Sequence, residues 1–347
     1  MSEYALTQVS MSDWGMLAQI DALLVEEGIT RDANLDYICA MVDEENRVIA
    51  TGSCFGATLR CFAVSHLHQG EGLLNQVVSH LMEYQMSRGN SHLFLYTKIN
   101  SAKFFQSLGF YEIARVDGTL VFMENRRNGF PSYLTRLEKT ARPGRSGAIV
   151  MNANPFTLGH QYLVEKAAAR CDTLHLFLLS EDASLVPFAM RKKLVQAGTA
   201  HLDNVILHDS GPYIISNATF PSYFLKDDAA VIQGHAKLDL AIFVRIAQAL
   251  GVTVRFVGEE PTSQVTGLYN EIMASQLPES GIDCVILPRK QALGKAISAS
   301  TVRTALREGD WQTLSALLPQ TTLDYFRSPE AEPVLQRIRS AENVVHY

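Results

Sequence analysis

Apolar and polar positions follow two rhythms along the chain, one up to about residue 125 and another from residue 148 onward. In the first part, residues 36–42 and 47–54 read as strands around the turn Glu44-Glu45-Asn46, and residues 59–65 as a third strand. Over residues 72–88, Leu73, Val77, Leu81 and Tyr84 share one helical face. Gly89-Asn90 then stops the helix. A short buried strand over 92–96, a helix over 101–108 closed by Gly109, and a strand opening at Phe110 complete the pattern.

The rhythm breaks at Arg126-Arg127-Asn128-Gly129 and again at Thr140-Ala141-Arg142-Pro143-Gly144-Arg145-Ser146-Gly147. Polar, basic sequence with Gly and Pro of this kind marks a linker or domain edge. Domains are therefore expected over residues 1–140 and 146–347. In the second, apolar strands at 148–151, 173–180, 204–207, 253–257 and 284–287 are separated by helices at 159–170, 187–200, 237–250 and 267–275. Helices at 304–308 and 311–318 and a peripheral tail at 329–347 follow. Short apolar strands separated by helices predict a parallel sheet covered on both faces. Ligands of such sheets bind beyond the carboxyl ends of the strands. The fold class is α/β throughout.

A length of 347 residues agrees with two domains. With 47% hydrophobic and 19% charged residues, the chain is globular rather than disordered. The 36 acidic against 30 basic residues give a net charge of −6. Such a chain has no global field for nucleic acid or an anionic membrane, so neither is expected as a partner. Apolar runs are too short to span a bilayer. Residues 1–19 lack a basic n-region followed by an apolar core, so a secretory signal is not expected. Cys39, Cys54, Cys61, Cys171 and Cys284 are scattered and never form a CxxC pair, which favours reduced thiols and a cytoplasmic location.

Two segments carry candidate chemistry. Asn154-Pro155-Phe156-Thr157-Leu158-Gly159-His160 lies just after the first strand of the second domain and opens its first helix. A helix start offers free N–H groups and the positive end of the dipole, which suit a triphosphate. Gly159 permits close approach, Thr157 offers a hydroxyl, and His160 can donate to a phosphate oxygen as charge builds up. Alone, the segment reads equally well as a Thr-capped helix with a surface His. Far downstream, Ile297-Ser298-Ala299-Ser300-Thr301-Val302-Arg303 precedes another helix, with Ser300 expected as its N-cap and Arg303 in the first turn. Hydroxyls, N–H groups and a guanidinium make a second anion site; alone, this is a plain capped helix with a solvated Arg.

The first segment resembles the T/HxGH motif of the nucleotidyltransferase superfamily, and the second its ISxSxxR motif. The resemblance implies a Rossmann-like domain that joins the α-phosphate of ATP to an acceptor. By it, His160, Thr157 and Arg303 are the catalytic residues. ATP is held by Asn152, Asn154, Pro155, Phe156, Gly159, Arg191, Gly258, Glu259, Ser298 and Ser300. Mg²⁺ bridges the phosphates with ligands mostly from ATP and water, so no protein metal site is expected. Met151, Ala153 and Asn154 stand where that superfamily often has Gly, Phe and Asp.

The first domain resembles the GNAT acetyltransferases. Gln69-Gly70-Glu71-Gly72-Leu73 looks like their pyrophosphate loop, and Asn100-Ser101-Ala102-Lys103-Phe104-Phe105 with Leu108-Gly109-Phe110 like their last helix and strand. Gly70, Gly72 and Asn100 would then hold a pantetheine arm. Leu67 replaces the loop's usual Arg or Gln, and Phe105 the Tyr that protonates a leaving thiolate, so arm binding is favoured over acetyltransferase chemistry.

The two domains in this order resemble the citrate lyase ligase family. Ser210-Gly211-Pro212-Tyr213-Ile214-Ile215-Ser216-Asn217-Ala218-Thr219-Phe220-Pro221, Gly258-Glu259-Glu260-Pro261-Thr262 and Tyr269-Asn270 look like its own signatures. That resemblance implies activation of acetate by ATP, then transfer to the dephospho-CoA-type thiol of the citrate lyase acyl carrier protein. The alternative is an adenylyltransferase for a phosphorylated acceptor in coenzyme A or NAD synthesis; a third reading is a non-catalytic adaptor for a carrier protein. Arg191, Lys192 and Lys193 are expected mainly as a solvated basic face, and His235 and Lys237 as surface polarity. Asp209 is a candidate for orienting substrate, and Glu259 and Glu260 for meeting ribose or adenine. His66 and His68 have no third metal ligand nearby in sequence.

Overall fold

The computed structural model describes residues 4–180, 184–214, 220, 228–260 and 264–341. It divides into two compact units, the first comprising Met1–Pro131 and Pro221–Gly234, the second Ser132–Phe220 and His235–Tyr347, so that the first turns of the helix Asp228–Leu250 fall to the first unit.

The first unit runs β1 (Ala5–Gln8), α1 (Trp14–Glu26), β2 (Tyr37–Val42), β3 (Val48–Phe55), β4 (Thr58–Val64), α2 (Leu73–Ser87), β5 (Phe94–Thr97), α3 (Ile99–Ser107), β6 (Tyr111–Val116) and β7 (Leu120–Glu124). Its strands form one sheet in the order β1-β2-β3-β4-β5-β7-β6. Leu73, Val77 and Leu81 of α2 are buried, as their spacing predicts. Gly52 in β3 makes room for them, since a Cβ there would lie 2.6 Å from Val77 Cγ1. Neighbouring strands are antiparallel except β4 and β5, which run parallel and pair only at Thr58 with Phe94 and Leu59 with Leu95. Beyond those pairs a cleft of about 510 Å³ opens, walled by Phe62, Ala63 and Val64 of β4 and by Tyr96 and Thr97 of β5. This architecture is the GNAT-like fold expected from the sequence.

The two expected edge segments are largely turn and coil, and a helix lies between them. α4 (Gly129–Glu138) spans the division of the chain. Its Pro131 lies in the first turn, where a missing N–H loses no hydrogen bond. The Phe130 amide donates to the Glu124 carboxylate at 2.7 Å, a cap supplied from β7.

The second unit continues with β8 (Ser146–Met151), α5 (Leu158–Ala168), β9 (Thr173–Leu178), α6 (Phe188–Thr199), β10 (Val205–Asp209), α7 (Asp228–Leu250), β11 (Val252–Gly258), α8 (Gln264–Gln276) and β12 (Asp283–Leu287). A two-stranded hairpin, β13 (Gln291–Ala292) and β14 (Lys295–Ala296), leads into α9 (Ala299–Glu308), α10 (Trp311–Leu317), α11 (Gln320–Arg327) and α12 (Glu332–Ser340). The sheet is parallel, in the order β10-β9-β8-β11-β12. Strand order therefore reverses between β8 and β11, which places a ligand crevice at their carboxyl ends. The tail is not peripheral: Val334, Leu335 and Ile338 of α12 are buried in the core shared with α5, α6 and α9. Residues beyond 341 lie outside the described residues.

Candidate active site

β8 ends at Met151, and the next turn is shaped by Ala153, whose φ of 51° is left-handed. The Asn154 side-chain oxygen accepts from the Val186 amide at 3.0 Å, and that of Asn152 from Ser184 Oγ at 3.2 Å. These bonds tie the loop after β8 to the loop after β9. Phe156, expected at the nucleotide, is instead fully buried in the core. It fits against Gly198, where a Cβ would come within 2.3 Å of its ring. An aromatic ring at this junction gains far more from burial than from a wet phosphate site. Phe156 anchors the loop rather than a ligand.

α5 starts with a reciprocal cap. Thr157 Oγ1 accepts from the His160 amide at 3.3 Å, and His160 Nδ1 accepts from the Thr157 amide at 3.1 Å. Thr157 Oγ1 also lies 2.9 Å from His160 Nδ1. The Thr157 hydroxyl is buried and takes part in the cap. An Nδ1 that accepts a backbone N–H cannot carry the proton, so the neutral ring holds it on Nε2. Burial, helped by the charge of Arg289, lowers the His160 pKa to about 4. The imidazole is thus a neutral, fixed donor at a helix start.

The ISxSxxR segment meets this loop. Arg303 donates through one nitrogen to the Asn154 carbonyl at 2.7 Å and through another to Ser300 Oγ at 3.2 Å. Asn154 and Arg303 are 149 positions apart in sequence. Arg303 is buried, and its Nε has no hydrogen-bond partner among the described residues. Burial lowers its pKa from the ordinary value, and Arg307 adds to the effect. Gly159 also serves this junction, since a Cβ there would meet Ile297 and Thr157 at 3.4 Å. The N-cap of α9 is Ser298, which accepts from the Thr301 amide, and not Ser300. Ser300 points its hydroxyl to Arg303.

At the neighbouring strand ends, Asn270 holds the Gly258 carbonyl at 3.0 Å. The Glu259 amide donates to Leu287 at 2.8 Å, while its side chain is exposed. Glu260 pairs with Arg289. Arg289 was missed in the sequence. Its signal was a cation just after a strand at the ligand end of a parallel sheet, and its charge acts on His160. Lys290 follows, with its carbonyl accepting from the Ile297 amide at 3.0 Å.

Arg191 is not on a solvated face. It is fully buried and donates to the Asn152 and Leu179 carbonyls at 2.8 Å and to the Val186 carbonyl at 3.0 Å. It holds together the loops that follow β8 and β9. Lys192 pairs with Asp209 at 2.8 Å, so that carboxylate has a partner other than substrate. His235 is buried against Phe220 and Tyr269, contrary to its expected place on the surface, whereas Lys237 is exposed. Residues 215–219, Pro221, Pro261 and Thr262 of the expected signatures lie outside the described residues.

In the first unit, Gly70 and Gly72 line the cleft with left-handed φ values of 89° and 77°. Neither has an atom within 4 Å of a built Cβ, so the loop presents open backbone. Asn100 is exposed on α3 and does not line the cleft; its neighbour Ser101 does.

The second unit is a Rossmann-type parallel sheet with two capped helix starts, an imidazole and a buried guanidinium at its switch point. Residues 146–326 match the citrate lyase ligase C-terminal domain family. The chain is 41% identical over 312 residues to the citrate (pro-3S)-lyase ligase of Klebsiella pneumoniae, covering 88% of this chain and 91% of that one. It is 38% identical over 329 residues to the ligase of the same name from Escherichia coli K12, covering 93% of each. The chain belongs to the citrate lyase ligase family. Among solved structures, it resembles Escherichia coli ElaA at 18% identity and a TM-score of 0.31, covering 36% of this chain and 100% of that one.

Proposed function

We propose that the chain is an AMP-forming acid–thiol ligase that activates acetate with ATP and acetylates a carrier-bound thiol. In the first step, an acetate oxygen attacks the α-phosphorus. The bond to the bridging oxygen breaks, and pyrophosphate leaves with that electron pair. In the second, the thiol of the dephospho-CoA-type group on the citrate lyase acyl carrier protein attacks the acetyl carbon, and AMP leaves. AMP is a good leaving group, so Phe105 in place of an acid is no obstacle.

The observation that carries this reading is the Arg303–Asn154 bond at 2.7 Å, which brings both phosphate-type motifs to one crevice. There, His160 Nε2–H donates to phosphate oxygen as charge builds up, and the α5 and α9 helix starts offer amides. Arg303 and Arg289 add positive charge for the departing pyrophosphate. Ser298, Ser300, Gly258 and Glu259 border the nucleotide. His160, the helix-start amides, Arg303 and Arg289 are donors and cations, which suit phosphate oxygens and not a metal ion. Mg²⁺ therefore reaches the site on the nucleotide, where it supplies charge neutralisation.

Residues 146–347 perform adenylation in this scheme, and residues 1–140 take the arm in the cleft beside Gly70 and Gly72. The cytoplasm supplies ATP and keeps thiols reduced; all five cysteines are free. The test is exchange of labelled pyrophosphate into ATP. Acetate should support it, and a phosphorylated acceptor should not. Exchange only with the phosphorylated acceptor would overturn the proposal.

A further inference from the structure

Ala153 holds a left-handed backbone, with φ at 51°. A residue with a Cβ is disfavoured there and persists only where its surroundings fix it. Its side chain is buried in the core beside Ile149, Met151 and Phe156. Both of its neighbours are held twice, from different parts of the second unit. Asn152 is gripped at its carbonyl by Arg191 Nη1 at 2.8 Å and at its side chain by Ser184 Oγ at 3.2 Å. Asn154 is gripped at its side chain by the Val186 amide at 3.0 Å and at its carbonyl by Arg303 at 2.7 Å.

Arg191 serves both sides of the turn. Besides its bonds to Asn152 and to the Leu179 carbonyl at the end of β9, it donates through Nε to the Val186 carbonyl at 3.0 Å. Val186 thus takes the guanidinium at its carbonyl and gives its amide to Asn154, which closes a ring of contacts around Ala153. The Arg191 side chain is 0% exposed, so it meets this backbone and not a ligand arriving from solvent. Its bonds are charge-assisted, and the flat guanidinium fixes their directions in a way that an ammonium does not.

We propose that Arg191 is a positioning residue for adenylation: it holds the left-handed turn at Ala153 and, through Asn154, fixes where Arg303 stands relative to the start of α5. This role rests on the ligase reading for the reaction it serves. Asn154 carries both the Val186 bond and the Arg303 bond, so a turn that relaxes carries the anchor of the second motif segment away with it. Slack of that kind matters little while ATP is merely held. It matters in the transition state, where reacting groups must keep a narrow geometry. The deficit on losing Arg191 therefore falls on kcat, whereas loss of a direct ATP contact would fall on KM.

Arg191→Lys keeps the charge and loses the fork. In it, kcat for acetate-dependent pyrophosphate exchange should fall about tenfold or more, and KM for ATP should change by less than about threefold. Adding Ala153→Gly should raise kcat again by about threefold or more, because glycine takes the left-handed conformation freely. The same change in the wild type should bring no gain. Deuterium uptake reads the turn without catalysis: it should quicken over residues 152–157 in Arg191→Lys, leave the strands of the sheet unchanged, and slow when Ala153→Gly is added. If Arg191→Lys does not fold, Ser184→Ala removes the bond to the Asn152 side chain and should lower kcat about threefold, again recovered by Ala153→Gly. Unchanged kcat in folded Arg191→Lys, or in Ser184→Ala where that variant stands in, would overturn the proposal. So would a rise in KM alone, which would place Arg191 in ground-state ATP binding. A loss of kcat that Ala153→Gly does not recover would also overturn it, by making Arg191 a general support of the fold. Failure of acetate to support exchange in the wild type would sink the ligase reading, and the uptake pattern would still decide whether Arg191 holds the turn.

Discussion

Replacing Arg303 by lysine separates the charge of this residue from its geometry. Two guanidinium nitrogens now hold two groups on different segments, the Asn154 carbonyl at 2.7 Å and Ser300 Oγ at 3.2 Å. Lysine keeps the positive charge but has one nitrogen and no fork, so it can keep one of these bonds. A hydrogen bond from a charged donor contributes about 1.5–3 kcal/mol. If loss of the Asn154 bond lets the two phosphate segments drift apart, a deficit of about 2 kcal/mol in the transition state lowers the rate roughly 30-fold. We expect kcat/KM for ATP in acetate-dependent pyrophosphate exchange to fall between about tenfold and a hundredfold in Arg303→Lys. Circular dichroism should show an intact fold, because one hydrogen bond is a small part of the stability of a unit this size. Exchange within twofold of wild type in the folded variant would refute the reasoning, since it would mean that charge alone suffices and the bridge between the segments is incidental.

Other outcomes follow from the same geometry. His160→Ala should lower exchange by about 10²–10³-fold, the usual loss for one transition-state donor, and an unchanged rate would remove His160 from the chemistry. Because burial holds the His160 pKa at about 4, its contribution to exchange should be level from pH 5 to 9 and fail only below that range. An inflection near pH 6.5 that disappears in His160→Asn would contradict this. The folded pKa values of His160, His175 and His208 are all lowered to about 4, mainly by burial. Their stabilising contribution is therefore complete above about 6.5 and declines as pH falls from there toward 4, which thermal melts across that window would detect. Gly198→Ala would set a methyl 2.3 Å from the Phe156 ring, so melting should register about 1–3 kcal/mol of destabilisation. Gly72→Trp should slow transfer to the carrier thiol while sparing exchange, and equal loss of both steps would contradict the division of labour.

The parallel sheet and the two helix starts at its motif segments were legible because each depends on local pattern: apolar strand, turn residue, capped helix. What escaped was decided by partners distant in sequence. α1 was invisible because its apolar residues lie on both faces and leave no single stripe to find. The start of α4 was hidden because Arg126-Arg127-Asn128-Gly129 reads as a domain edge, and its cap comes from Glu124 on the preceding strand. Arg191 looked solvated because nothing local announces that three backbone carbonyls from two loops converge on it. Ser298 and Ser300 both fit an N-cap by type, and only the Thr301 amide distinguishes them. Phe156 and Thr157 were assigned to the nucleotide because they sit in its motif. Their packing and capping duties depend on Gly198 and on the His160 amide, partners that the motif alone does not reveal.

The imidazole at position 160 closes the first turn of its own helix with one nitrogen and offers the other outward. On the proposed mechanism, any residue that replaced it would have to satisfy the Thr157 amide and address a developing negative charge at once. Asparagine can do the first, but its shorter side chain would leave the second out of reach. Selection on how the chain folds and selection on what it transforms therefore press on the same ring, and neither can relax without the other.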